Sequence, residues 1–277
     1  MLVDGRSIAK NIETQLARVA SGFSRPPSLS IIIVGDDPVI ESFVRTKKRA
    51  GERIGVSVVE HRFAANTVLS ELHKAVAAIA ADPMTDGIIV QLPLPSHVPV
   101  KELVDAVPIG KDVDVLSQQA VAAFRDGASP VLPPVAGAIQ EILERYAIDV
   151  RGKESLVLGY GRLVGIPARI LLEHNGAHVT VIDKPVADLA MHVRESAIII
   201  SGVGSPQLIT KDMLSVGAVV IDAGTSESGG VIVGDAHPDC GDVAALMTPV
   251  PGGVGPIAIA MLFKNLLVLA GRRASGE

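Results

Sequence analysis

The chain has 277 residues, a net charge of -5, no Trp and one cysteine, Cys240. That length suits two domains of roughly 100–200 residues each, and the mild charge without a basic run argues against a nucleic-acid partner. A lone cysteine excludes an intrachain disulfide framework and a Cys-rich metal centre, so no metal is expected and a reducing, cytoplasmic setting is. The residues are 48% hydrophobic but only 3% aromatic, so Val, Ile, Leu and Ala must build the core. Buried parallel strands favour such residues. Residues 1–6 lack the plan of a signal peptide, and every long apolar stretch holds a charge or a breaker. Neither a leader nor a membrane partner is therefore expected.

In chain order, 30–34 (SIIIV) reads as a strand stopped by the turn signal Gly35-Asp36-Asp37-Pro38. A helix is predicted over 39–54, a strand over 56–62, a helix over 68–81 and a strand over 87–91. This alternation predicts a parallel sheet covered by helices. Residues 126–134, with Gly, Ser and three prolines, read as an interdomain link. A helix follows over 135–146, then a second series: strand 154–158, helix 164–175, strand 179–182, strand 197–201, strand 218–221 and a final helix over 257–269. The expected class is a two-domain α/β fold, its second half a Rossmann-type nucleotide-binding domain.

The loop Gly159-Tyr160-Gly161-Arg162-Leu163-Val164-Gly165 lies between a predicted strand and a predicted helix. In that context glycines allow a tight turn and close approach to a pyrophosphate, and the helix N-terminus offers free N–H groups. The spacing is one residue longer than the common fingerprint, and a tight turn with no ligand is the plainer alternative. Asp183 ends the next strand, where an acid takes ribose hydroxyls and favours NAD. Lys184 beside it argues for a 2′-phosphate instead, so NADP and NAD both stay open. Gly202, Gly204 and Thr225 follow two later strands at the ligand-binding end of such a sheet, although each is also an ordinary turn residue.

Three polar residues stand out in the first half: Lys47 on a helix, Gln91 ending an apolar strand, and Asp114 in Lys111-Asp112-Val113-Asp114. By composition alone these are a solvated lysine, a bonded strand end and a turn cap, and spacing does not join them. The strings Gln91-Leu92-Pro93-Leu94-Pro95, Lys111-Asp112-Val113-Asp114 and Thr248-Pro249-Val250-Pro251-Gly252-Gly253-Val254-Gly255-Pro256 do. In them the chain resembles the bifunctional methylenetetrahydrofolate dehydrogenase/cyclohydrolase (FolD) family, nearly end to end.

The resemblance implies a catalytic folate domain of residues 1–134 and 256–277, an NAD(P)-binding domain of residues 135–255, and a cleft between them. It implies oxidation of 5,10-methylenetetrahydrofolate with NADP, or NAD as the alternative, then hydrolysis to 10-formyltetrahydrofolate. It also implies a homodimer in one-carbon metabolism supplying purine biosynthesis. Lys47, Gln91 and Asp114 match the family's catalytic lysine, its glutamine partner and the carboxylate that holds the pterin. Phe43, Val90, Leu92, Pro93, Gly252, Gly253 and Pro256 match the folate pocket. Gly159, Tyr160, Gly161, Arg162, Val164, Gly165, Asp183, Lys184, Gly202, Gly204 and Thr225 fall on the cofactor side.

The chain departs from the family pattern at Ile40 for serine, Phe43 for tyrosine, Val115 for glycine, Pro134-Val135 for a Cys-Thr pair, Gly161 for serine, and Ile257-Ala258 for Met-Thr. These changes strip hydroxyls around a retained triad. The expectation is a surviving dehydrogenase step with a weakened or rerouted hydration step. The alternatives are a single-activity enzyme or a non-catalytic binding paralogue.

Overall fold

The computed structural model describes residues 1–228 and 231–275. They form two compact units, one of Lys10–Pro134 with Ile259–Glu277, the other of Met1–Ala9 with Val135–Ala258. The elements of the first half are α1 (Gly5–Ala20), β1 (Ser28–Val34), α2 (Pro38–Ile54), β2 (Ser57–Phe63), α3 (Leu69–Ala81), β3 (Gly87–Val90), α4 (Val100–Asp105) and α5 (Gln118–Arg125). The second half holds α6 (Pro134–Arg145), β4 (Glu154–Leu158), α7 (Gly165–His174), β5 (His178–Ile182), α8 (Leu189–Glu195), β6 (Ile198–Ser201) and β7 (Val219–Asp222). It continues with β8 (Ser226–Ser228), β9 (Val231–Val233), β10 (Leu246–Met247) and α9 (Val254–Ser275).

In the unit built on the first half, β1 lies between β2 and β3 in a parallel sheet. Six of the seven β1 residues are buried, which is why its second half, Ile31 to Val34, is a continuous aliphatic run rather than an alternation. β2, at the edge, alternates exposed and half-buried residues. Ile32, Val34, Ile88 and Val90 of the sheet pack on Leu72 and Val76 of α3 and Leu103 of α4. Each such burial is worth about 1.5–3 kcal/mol.

α9 is long and apolar enough to cross a membrane by composition, yet 61% of its apolar window is buried within the fold. Phe263 and Leu266 are fully buried, and a Cβ on Gly87 would lie 2.6 Å from Leu266 Cδ1. Glycine therefore lets α9 close on β3. Asn265 Nδ2 ties the helix down by donating to Val113 O at 2.9 Å and Leu132 O at 2.7 Å.

The other unit is a five-stranded parallel sheet in the order β10-β7-β6-β4-β5. The chain leaves β4 toward β5 on one side and later returns to β6 on the other. The crevice where that order reverses lies beyond the C-terminal ends of β4 and β6. β8 and β9 pair antiparallel.

Residues 1–9 were expected with the first half but lie in this unit. Val3 N donates to Met247 O and Met247 N to Met1 O, both at 2.9 Å, extending the β10 edge. Gly5 then packs against the 252–253 loop so closely that a Cβ would sit 1.9 Å from Gly253 O.

Candidate active and dinucleotide sites

α2 starts cleanly because Asp37 caps it, its Oδ1 accepting from Val39 N at 2.7 Å, and Pro38 suits the first helical position. Its buried stripe runs Ile40, Val44, Gly51 and Ile54. Lys47 falls in that stripe, three residues after Val44, so the helix carries its ammonium against protein rather than into water. β3 brings the partner. Gln91 follows its last residue, is only 6% exposed, and is fixed by its backbone N–H to Ile32 O at 2.9 Å. Lys47 Nζ donates to Gln91 Oε1 at 2.8 Å, and Gln91 Nε2 donates to Leu92 O at 2.7 Å. The second bond fixes which end of the amide faces the lysine.

Asp114 completes the group. Its loop is anchored by Asp112, whose carboxylate accepts from Ser117 N at 2.8 Å and Leu116 N at 3.1 Å. Val115 next to it has φ 55, a left-handed conformation that is strained for a β-branched residue. Glycine would adopt it freely, whereas the buried Val115 side chain offsets the strain by packing.

Burial pushes the Asp114 carboxyl up to about 6; the Lys47 ammonium pulls it back and Asp112 pushes it further. Burial likewise lowers the Lys47 pKa, against the opposing pull of Asp114. A cation and an anion thus share a poorly hydrated place, where burial favours the neutral form of each and the opposite charge of the partner opposes that shift.

Phe43 lies one turn before Lys47 and is 41% exposed, an aromatic surface without a hydroxyl. Val90 is buried in β3, while Leu92 and Pro93 lead away from Gln91 across a cis peptide bond. Gly252, Gly253 and Pro256 belong to the other unit. Gly252 has φ 110, and Gly253 N closes a tight turn on Pro249 O at 2.7 Å.

In the Rossmann-type unit, Gly159 directly follows β4 with φ 86, and its N–H donates to Ile182 O at 2.8 Å. A Cβ on Gly165 would lie 2.1 Å from Gly159 O, so only glycine lets α7 start this close to the strand. A Cβ on Gly202 would strike Val164 Cγ1 at 2.4 Å. The expected loop residues Gly159, Val164, Gly165 and Gly202 therefore form one packed cradle. Gly161 is different: a Cβ there meets nothing within 4 Å, so its openness is not required by packing. Gly204 has φ 74, and Thr225 is exposed beyond β7. Asp183 Oδ1 accepts from Tyr160 N at 2.8 Å, which ties the acid to the loop. Tyr160 also carries Arg169, 5.9 Å over its ring.

One element of this unit had no sequence signal. Asp235 is fully buried, and its Oδ2 accepts from Ser201 Oγ at 2.7 Å and Val203 N at 2.8 Å, while Oδ1 accepts from Ser205 N at 2.8 Å. It holds the loop after β6, where Gly202 and Gly204 lie. Nearby, Asp222 accepts from Gly224 N at 2.9 Å and Ala236 N at 2.8 Å, and burial pushes its pKa up to about 6.

A cradle of glycines at the switch point of a parallel sheet, with an acid at the next strand end, defines a dinucleotide-binding α/β protein. Its other unit holds a buried lysine–glutamine–aspartate group. Residues 133–274 match the tetrahydrofolate dehydrogenase/cyclohydrolase NAD(P)-binding domain, and residues 3–114 match the catalytic domain of the same family. The chain belongs to that family. It is 38% identical to the bifunctional protein FolD of Moorella thermoacetica, over 98% of this chain and 99% of that protein. It is also 38% identical to the FolD protein of Ralstonia nicotianae, over 99% and 96%.

Among solved structures, the FolD enzyme of Campylobacter jejuni superposes with a TM-score of 0.95 at 31% identity, covering 99% of both chains. The Trypanosoma brucei FolD enzyme, complexed with NADP and an inhibitor, superposes with a TM-score of 0.92 at 33% identity, covering 99% and 98%.

Proposed function

We propose that this chain oxidises 5,10-methylenetetrahydrofolate to the 5,10-methenyl compound and then hydrolyses that compound to 10-formyltetrahydrofolate. The observation that carries the reading is the Lys47 ammonium, drawn out of water and bonded at 2.8 Å to an uncharged partner, Gln91, beside Asp114. The substrate carbon lies between two nitrogens, so loss of hydride leaves a delocalised cation. A bound nicotinamide supplies the hydride acceptor. The glycine cradle suits such a group, because its backbone is bare where a pyrophosphate would approach the start of α7.

The protein's own residues do the rest. Asp114, mostly ionised at neutral pH, accepts hydrogen bonds from the pterin's amide-like N–H and exocyclic amine. Phe43 offers a face for the folate's aromatic ring.

In the second step water adds to the methenyl carbon, and Lys47 as free amine takes one of its protons. The adduct then collapses: the carbon–N5 bond breaks, N5 takes a proton back from the Lys47 ammonium, and the remaining hydroxyl proton leaves to solvent. One proton is released overall. An ordinary lysine, with a pKa of about 10.4, is a poor base at neutral pH. Burial and the cationic substrate both lower that value. Gln91 orients the amine without adding charge.

The same reading makes the protein a cytoplasmic homodimer whose product serves purine biosynthesis. The test is Lys47→Ala, with nicotinamide reduction and methenyl hydrolysis followed separately. Hydrolysis should fall to the buffer rate, a loss of about 10²–10⁴-fold. A hydrolysis rate equal to that of the parent protein would exclude the assigned role.

A further inference from the structure

We propose that Asp183 makes the dinucleotide site select NAD over NADP. The inference rests on the reading of that site given above and adds which nucleotide it takes.

Asp183 directly follows β5, which pairs in parallel with β4 so that Leu158 lies opposite Ile182. Gly159 N donates to Ile182 O at 2.8 Å, and Tyr160 N donates to Asp183 Oδ1 at 2.8 Å. Two successive loop amides therefore clamp the end of β5, and the carboxylate is held at a fixed distance from the pyrophosphate cradle. In nucleotide sites of this topology, that strand end faces the adenosine ribose. Oδ2 has no hydrogen-bond partner among the described residues. An ionised carboxylate is an acceptor only. A 2′-hydroxyl can donate to it. A 2′-phosphate has no proton to give when fully ionised, and it brings almost two negative charges against a charge already in place.

The cations nearby do not reverse this. Arg169 is the basic residue joined to the loop, yet its Nε donates to Glu173 Oε1 at 2.7 Å and its Nη1 to Tyr160 Oη at 3.3 Å. Its charge is met on its own helix. Arg162 is already engaged in an interaction. Lys184 is the remaining candidate from the sequence. It is exposed, beyond the end of the strand. Its ammonium rides on a flexible, hydrated stem that must be ordered before it meets a phosphate, and exposed ion pairs gain little. Asp183 needs no such ordering, since the loop already fixes it. The fixed anion therefore outweighs the mobile cation.

The experiment is calorimetric binding of NAD and NADP to the purified full-length protein, without folate, together with ADP-ribose and its 2′-phosphorylated form. NAD and ADP-ribose should each bind more tightly than the phosphorylated partner, by about tenfold or more. Asp183→Ser should erase most of that ratio by improving NADP binding. NADP binding as tightly as NAD, or an unchanged ratio in Asp183→Ser, overturns the inference while leaving the site intact. Binding of neither dinucleotide to the folded protein overturns the reading of the site itself.

Discussion

Replacing Asp235 with asparagine should loosen the loop that follows β6. Four donors converge on this buried carboxylate: Ser201 Oγ, Val203 N and Gly204 N on Oδ2, and Ser205 N on Oδ1. An asparagine amide keeps one acceptor oxygen and presents an NH2 that only donates. Its less costly orientation keeps the oxygen at the crowded Oδ2 position and turns the NH2 toward Ser205 N, donor against donor. One bond to a charged acceptor is lost, worth about 1.5–3 kcal/mol, and the other bonds weaken because their acceptor is now neutral.

Removing the charge also relieves Asp222, whose pKa Asp235 helps to raise. That relief is the smaller effect, because Asp222 already has its own backbone donors. The net cost is about 2–3 kcal/mol, which corresponds to a fall in protection of very roughly 30–150-fold for amides that open with this loop. Amide hydrogen exchange read at Val203 and Ser205 measures it. Protection unchanged at both amides would refute the reasoning.

Two further outcomes follow from the lysine group. Burial lowers the Lys47 pKa, so the free amine becomes available at a lower pH than for an ordinary lysine. Methenyl hydrolysis should rise with pH and reach its plateau at a lower pH than an ordinary lysine base would give; a rate still climbing at the ordinary lysine pKa would contradict a buried base. Phe43→Tyr restores a hydroxyl one turn from Lys47 and should speed hydrolysis about tenfold, less than the roughly 10²–10⁴-fold of a principal proton-transfer group because Lys47 is retained, while leaving nicotinamide reduction unchanged. An unaltered hydrolysis rate would show that the missing hydroxyl does not limit the step.

The parts of the fold legible in the sequence are those where burial leaves a continuous pattern. Residues 30–34 and 197–201 read as strands because both faces of β1 and β6 are covered, so each carries three successive isoleucines. α1 was not expected, although Ile8, Ile12 and Leu16 repeat at helical spacing and are all buried. α5 and α8 are too short for periodicity to mark them, and the β8–β9 pairing has strands of three residues.

The site divides the same way. The glycine cradle and Asp183 were legible because a strand–loop–helix–strand unit fixes their spacing locally. Lys47 and Gln91 meet across 44 residues of sequence, so only the family resemblance joined them. Asp235 reaches partners 30 to 34 residues away and stands alone in its own segment, which leaves no local trace.

The most direct test of the central claim is to give the purified protein 5,10-methylenetetrahydrofolate with NAD or NADP and follow the nicotinamide and folate products together. One reduced nicotinamide should form per folate consumed, with 10-formyltetrahydrofolate as the final product. Consumption of neither reactant by protein that is folded and binds dinucleotide would contradict the account.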